Sequence, residues 1–337
     1  MKASSFTSSI IYAIQFILAM ATGGMAHAEE KATDPNVEAI REILQQPEEK
    51  IDLARAKLTI DRMIDPSINV ERNLKKLDAM AAQVKSMLPS NPSDLQKMET
   101  LVRYIYTAGP WNDNHPFRYD LDDPFGHIIH NKLLSTYLET KKGNCVSMPA
   151  LVLILGKKIG LDVKASTAPE HNLVKYRLDN DPYRNFEAAS GGVKLDSSYI
   201  REMGITEQAM ENGIYLQPLT NRETVAVMAE TLQEFYRQQQ MPERVIALSN
   251  LELEYYPKDV PAMLHISTAY RSLKTTEFVN VYRTPFDIPQ ELRARYVFLG
   301  RNALSWWEKA WALGFRPPTE EADAQYAQMI ERVKAKQ

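Results

Sequence analysis

Cys145 is the only cysteine in a chain of 337 residues. It sits in "KKGNCVSMPALVLILGKKIGLD", where Gly143-Asn144 leads into an apolar run. A thiol attacks as the thiolate, and a free cysteine with a pKa of about 8.5 is mostly protonated at neutral pH. A helix N-terminus lowers that pKa, because unpaired N–H groups and the macrodipole point at the sulfur. Pro149 fixes the helix start, since proline is tolerated only in the first turn. Lys157-Lys158 and Gly160 mark its end. The segment is apolar almost all round, as a buried helix is. The pattern predicts a thiol at the positive tip of a buried helix.

Such a thiol needs a base, and the base needs a third group to orient it. Of six histidines, His171 has the best setting, because it heads the strand-like "HNLVKYRL". The next strand candidate, "NFEAAS", supplies Glu187. Alternation puts Asn185 on the same face as a reserve orienter. A hairpin turning near residues 179–184 brings Glu187 towards His171. Cys145, His171 and Glu187 are therefore the candidate catalytic residues. The Cys145 N–H is placed to hold an oxyanion, with Asn131 or Tyr137 as candidates for a second donor. Ser190, before two glycines, reads as a turn, because nothing resembles G-x-S-x-G.

A competing chemistry lies in "HPFRYDLDDPFGHIIH", which holds His115, Asp120, Asp122, Asp123, His127 and His130. Histidine and carboxylate suit zinc and other divalent ions. The helical H-E-x-x-H form is absent, and Asp-Asp-Pro makes an ordinary turn. There is no glycine-rich phosphate loop and no dinucleotide fingerprint. Neither a metal nor another cofactor is expected.

Several elements must position these residues. "IDLARAKLTIDRMID" and "VERNLKKLDAMAAQVKSML" space their apolar residues as helices do. Ser93-Asp94 caps the next helix, "LQKMETLVRYIYTAGP", and another lies near "HNKLLSTYLETKK". Behind the cysteine helix, "LDVKASTA", "NLVKYRL" and "NFEAAS" read as three short strands in an antiparallel meander. From about residue 222 the chain is helical again. Leu232 and Tyr236 are echoed 34 residues on by Ile266 and Tyr270, the tetratricopeptide period. "ALSWWEKAWALGFRPP" reads as a final helix pair packing its tryptophans.

The first 28 residues have one lysine, an uncharged apolar run from Ile10 to Ala21, and Ala26-His27-Ala28. That is the form of a secretory signal peptide, and the run is short for a membrane span. Export implies a periplasmic or secreted protein, where a lone cysteine has no partner within its own chain. No later stretch is long and apolar enough to cross a bilayer. The net charge of −3 becomes one unit more negative without Lys2, which argues against nucleic acid as a partner. The expected organisation is a signal peptide over 1–28 and a helical segment over 29–94. A core over 95–221 and a tetratricopeptide-like region over 222–337 follow.

Gly143-Asn144-Cys145 at a helix start, His171-Asn172-Leu173-Val174 on the second strand and Glu187-Ala188-Ala189 on the third are together similar to the transglutaminase-like superfamily, within the papain-like class. Glu187 stands where aspartate is commoner, and Leu173 where an aromatic is usual. The lead-in "IDLARAKLTIDRMIDPSINVERNLKKLDAM" resembles the helical preface of a bacterial subgroup, many of which carry tetratricopeptide helices behind the core. The resemblance covers most of the chain after the leader and is most specific over 131–192. It implies an α+β fold, with a papain/transglutaminase-like core flanked by helices. It also implies a thiol-dependent amide or peptide hydrolase or acyltransferase with a Cys-His-Glu triad. The partners are then a peptide or protein substrate, with a protein partner on the C-terminal helices. The alternative is a non-catalytic periplasmic interaction module built on the same core.

Overall fold

The computed structural model describes residues 34–318 and, beyond them, Gln328. The expected leader lies outside the described residues. Four helices open the described chain: α1 (Pro35–Leu44), α2 (Leu53–Ile64), α3 (Val70–Ser86) and α4 (Asp94–Tyr106). Each begins on a side-chain cap: Asp34, Asp52, Asn69 and Ser93 accept from backbone N–H groups of the first turn. Ser93 and Gln96 complete a reciprocal capping box.

A long connection carries β1 (Arg118–Tyr119), then α5 (Leu134–Thr140) and β2 (Lys142–Gly143). β1 and β2 pair in parallel just ahead of the cysteine. α6 (Ser147–Lys158) follows, with Ser147 to Gly156 all buried. It lies at the centre, packed on α2, α3, α4 and α5 on one side and on the sheet at the other. That sheet is β3 (Asp162–Ala168), β4 (His171–Arg177), β5 (Arg184–Glu187) and β6 (Gly192–Val193), in that order and antiparallel throughout. The meander has the three expected strands, with β6 as a short fourth on its edge. The whole is an α+β fold with a small antiparallel sheet.

Two short helices, α7 (Asp196–Met203) and α8 (Glu207–Glu211), lead to α9 (Asn221–Gln238), α10 (Pro242–Tyr255), α11 (Val260–Lys274) and α12 (Arg293–Ala312). The last segment is one long helix rather than the expected pair. No turn residue interrupts "ARYVFLGRNALSWWEKAWAL" strongly enough to break it, and the helix ends only ahead of Gly314 (φ +101°). α9 packs along α2, and α1 against α10. Val225, Leu232, Val245 and Leu248 therefore share one apolar core with Leu58, Leu101 and Leu151. The expected boundary at 222 falls inside that core. Among the described residues, no helix is long and apolar enough to cross a membrane.

Candidate active site

The cysteine is set by the three residues around it. Asn144 is 1 % exposed, and its Oδ1 accepts from the N–H of Val146 at 3.0 Å and of Ser147 at 3.3 Å. This caps α6 and turns the chain so that Cys145 stands ahead of the first helical residue. Ser147 Oγ accepts from Asn144 N at 3.2 Å and donates to the Asn131 carbonyl at 3.3 Å. Gly143 is needed for space: a Cβ there would lie 2.6 Å from the Tyr137 ring and 2.7 Å from Ser147 Oγ. The G-N-C stretch is thus a close-packed corner, a cap and a half-buried thiol.

His171 opens β4, and its ring lies between two partners. Nε2 pairs with Glu187 Oε2 at 2.8 Å, and the Cys145 thiol lies close enough to act on the imidazole. Burial alone disfavours the imidazolium. Hydrogen bonding and charge from Cys145 and Glu187 outweigh that and raise the imidazole to about 10. Glu187, at the end of β5, is buried. Burial pushes its carboxyl up, but His171, Tyr199 and the Ala189 N–H together hold it below its ordinary value. Oε2 also accepts from Tyr199 Oη at 2.7 Å, and Oε1 from Ala189 N at 3.0 Å.

The structure therefore brings Cys145, His171 and Glu187 into one chain of contacts. Asn185 does not join it. Its amide donates to Asp196 at 2.6 Å and to the Lys194 carbonyl at 3.0 Å, and its oxygen accepts from Lys175 at 2.7 Å. Of the two side chains considered as a second oxyanion donor, Asn131 is engaged elsewhere and the Tyr137 hydroxyl has no hydrogen-bond partner. The Asn131 amide is held by Asp120 at 3.2 Å and Asp123 at 3.0 Å. Tyr137 is fully buried, with its ring packed beneath Gly143. Ser190 lies in the turn after β5, its Oγ on the Glu187 carbonyl.

The acids of the 115–130 loop have local roles. Asp123 accepts from the N–H of His127 at 2.8 Å and of Ile128 at 3.1 Å. Asp122 pairs with Lys142 at 2.6 Å. His115 contacts the Asp113 carbonyl at 2.6 Å, and His127 stacks on Phe125. With Asn131, these contacts tie the loop to the start of α6. Among the described residues, no three His, Cys, Asp or Glu side chains converge to hold a metal ion.

Residues 71–230 match the family model of the transglutaminase-like superfamily. This stretch is a transglutaminase-like domain. It runs from the start of α3 into α9, so it contains the thiol helix, the whole sheet and Tyr199. No curated protein and no solved structure matches the chain significantly. The transglutaminase-like domain includes one contact that sequence reading missed, the Tyr199 hydroxyl on Glu187. A tyrosine in a short helix after the sheet has neither motif nor spacing to mark it.

Proposed function

We propose that the protein is an exported thiol-dependent amide or peptide hydrolase or acyltransferase. The observation that carries this reading is the His171 ring, set between the Glu187 carboxylate at 2.8 Å and the Cys145 thiol at the tip of a buried helix. His171 Nδ1 takes the proton from Sγ, and the sulfur attacks the carbonyl carbon. The oxyanion faces the Cys145 N–H at the N-terminal end of α6. His171 then protonates the leaving amine, and the C–N bond breaks to leave a thioester on Cys145. Water releases the acyl group in a hydrolase and a second amine releases it in an acyltransferase, with His171 accepting the proton of either. Glu187 keeps Nε2–H in place and balances the charge on the ring throughout.

The test is labelling with an acyloxymethyl ketone carrying a short peptide. Mass spectrometry should find the adduct on Cys145 in the wild type, and His171→Ala should reduce labelling by at least about 100-fold, the lower end of what general-base assistance contributes. Equal labelling of the two proteins would favour an inert thiol and an interaction module instead.

A further inference from the structure

We infer that Tyr199 is a positioning residue for the thiol–imidazole pair, acting through the Glu187 carboxylate. This rests on the reading that Cys145, His171 and Glu187 work together. Oε2 of Glu187 takes two hydrogen bonds, from His171 Nε2 at 2.8 Å and from Tyr199 Oη at 2.7 Å. The second oxygen takes one, from the Ala189 N–H at 3.0 Å. Without Tyr199, the oxygen that faces the imidazole would have His171 as its only partner, and the carboxylate could swing about the Ala189 contact. The charge on His171 changes as the proton moves during turnover, whereas the Tyr199 donor stays constant.

The surroundings keep that donor in place. Tyr199 is fully buried, and its ring lies tilted 6.0 Å from that of His171. Burial first, then Glu187, pushes the phenol up, so it remains a donor across the working pH range. Its apolar seat is shared with Leu173 of β4, Ala209 of α8, and Ala310 and Phe315 at the end of α12. Three side chains fasten that end. Thr206 donates to the Gly314 carbonyl at 2.8 Å, Gln208 to Ala312 at 2.9 Å and Asn212 to Leu313 at 3.0 Å. Glu202 and Asp196, both on α7, also push the Tyr199 phenol up. The Tyr106 hydroxyl from α4 is engaged on the Ala188 carbonyl at 2.9 Å. Lys194 lies over the Tyr199 ring at 4.4 Å, and Cys145 lies beyond the imidazole. Burial works against an ionised Glu187, and Tyr199 is one of three donors that offset it.

The experiment is the pH profile of Cys145 alkylation by iodoacetamide in full-length wild type and Tyr199→Phe. The acid limb should move up by about one pH unit in the variant, the size of one charge-assisted hydrogen bond. The rate on the alkaline plateau should be unchanged. A limb that stays put, or moves down, overturns the role of Tyr199 while leaving the triad reading intact. A wild-type profile matching a free thiol overturns the triad reading itself. Should Tyr199→Phe fail to fold, 3-fluorotyrosine at position 199 is a stronger donor in the same shape. It should move the limb down, and an unmoved limb there refutes the proposal.

Discussion

At the residue scale, the thiol corner depends on the absence of a side chain at Gly143. Gly143→Ala would press a methyl against the Tyr137 ring and Ser147 Oγ, both fully buried. Overpacking of this kind costs about 1–3 kcal/mol. The expected result is a lower melting temperature together with slower Cys145 labelling, because the turn that presents the sulfur must shift. Unchanged labelling in a destabilised protein would separate the corner from the chemistry. The three contacting residues were legible in the sequence because each stands at an element boundary with a chemical reason to be there. Cys145 precedes a helix, His171 opens a strand and Glu187 closes one. Tyr199 was not legible, since its role arises from a tertiary contact to a residue 12 positions earlier, across the turn, β6 and the start of α7. For the second oxyanion donor, sequence could say neither that the Asn131 amide is already engaged nor that Tyr137 is fully buried. Asn131 is committed to two aspartates, and Tyr137 lies under a glycine.

At the element scale, the N-terminal helices join the domain through a buried ion pair. Lys57 and Asp61 meet at 2.6 Å with side chains 1 % and 0 % exposed. Asp61 Oδ2 also accepts the N–H of Leu134 at 2.7 Å, so a carboxylate on α2 caps α5. Burial first raises the Asp61 carboxyl, and Lys57 and the backbone donors of α5 work against that rise. Removing one partner strands the other in a dry site, which costs about 3–5 kcal/mol. Lys57→Met should therefore lower the urea midpoint strongly, and a midpoint near wild type would show that the pair is dispensable. The i,i+4 spacing was visible in "ARAKLTIDRM", but such pairs are usually surface pairs. This one is covered by the chain entering α5, where Lys57 Nζ donates to the Lys132 carbonyl at 3.4 Å and Asp61 accepts from Leu134, a packing that no local pattern announces. The end of α12 gives a second test. Gly314 faces the backbone of Ala209 and Gln208 with no room for a Cβ, at a left-handed φ of +101°. Gly314→Ala should undock that end, raising protease cleavage near residues 205–215. Cleavage matching wild type would show that the contact is yielding.

At the scale of the whole molecule, helices and sheet were legible because their periods are local, and the way they assemble was not. The C-terminal helices share the main core, and a second apolar cluster links α12 to the segment that carries Tyr199. They also bury acids. Burial, followed by the charge of Asp259, raises Glu230 to about 8, and burial raises Asp259 itself to about 7. An acid whose folded pKa exceeds its unfolded value of about 4 takes up a proton on folding. The stability it contributes is full below about pH 4 and is lost as pH rises towards about 8. The melting temperature should fall between pH 5 and 8, and Glu230→Gln should flatten that slope; a level wild-type curve would contradict the assignment. The most direct test of the central claim uses the intact protein and its one thiol. Cys145 alkylation should remain fast well below the pH of about 8.5 at which a free thiol slows. His171→Ala should abolish that advantage and return the profile to that of a free thiol. A wild-type profile that already follows the free thiol, or a His171→Ala profile identical to wild type, would contradict the account.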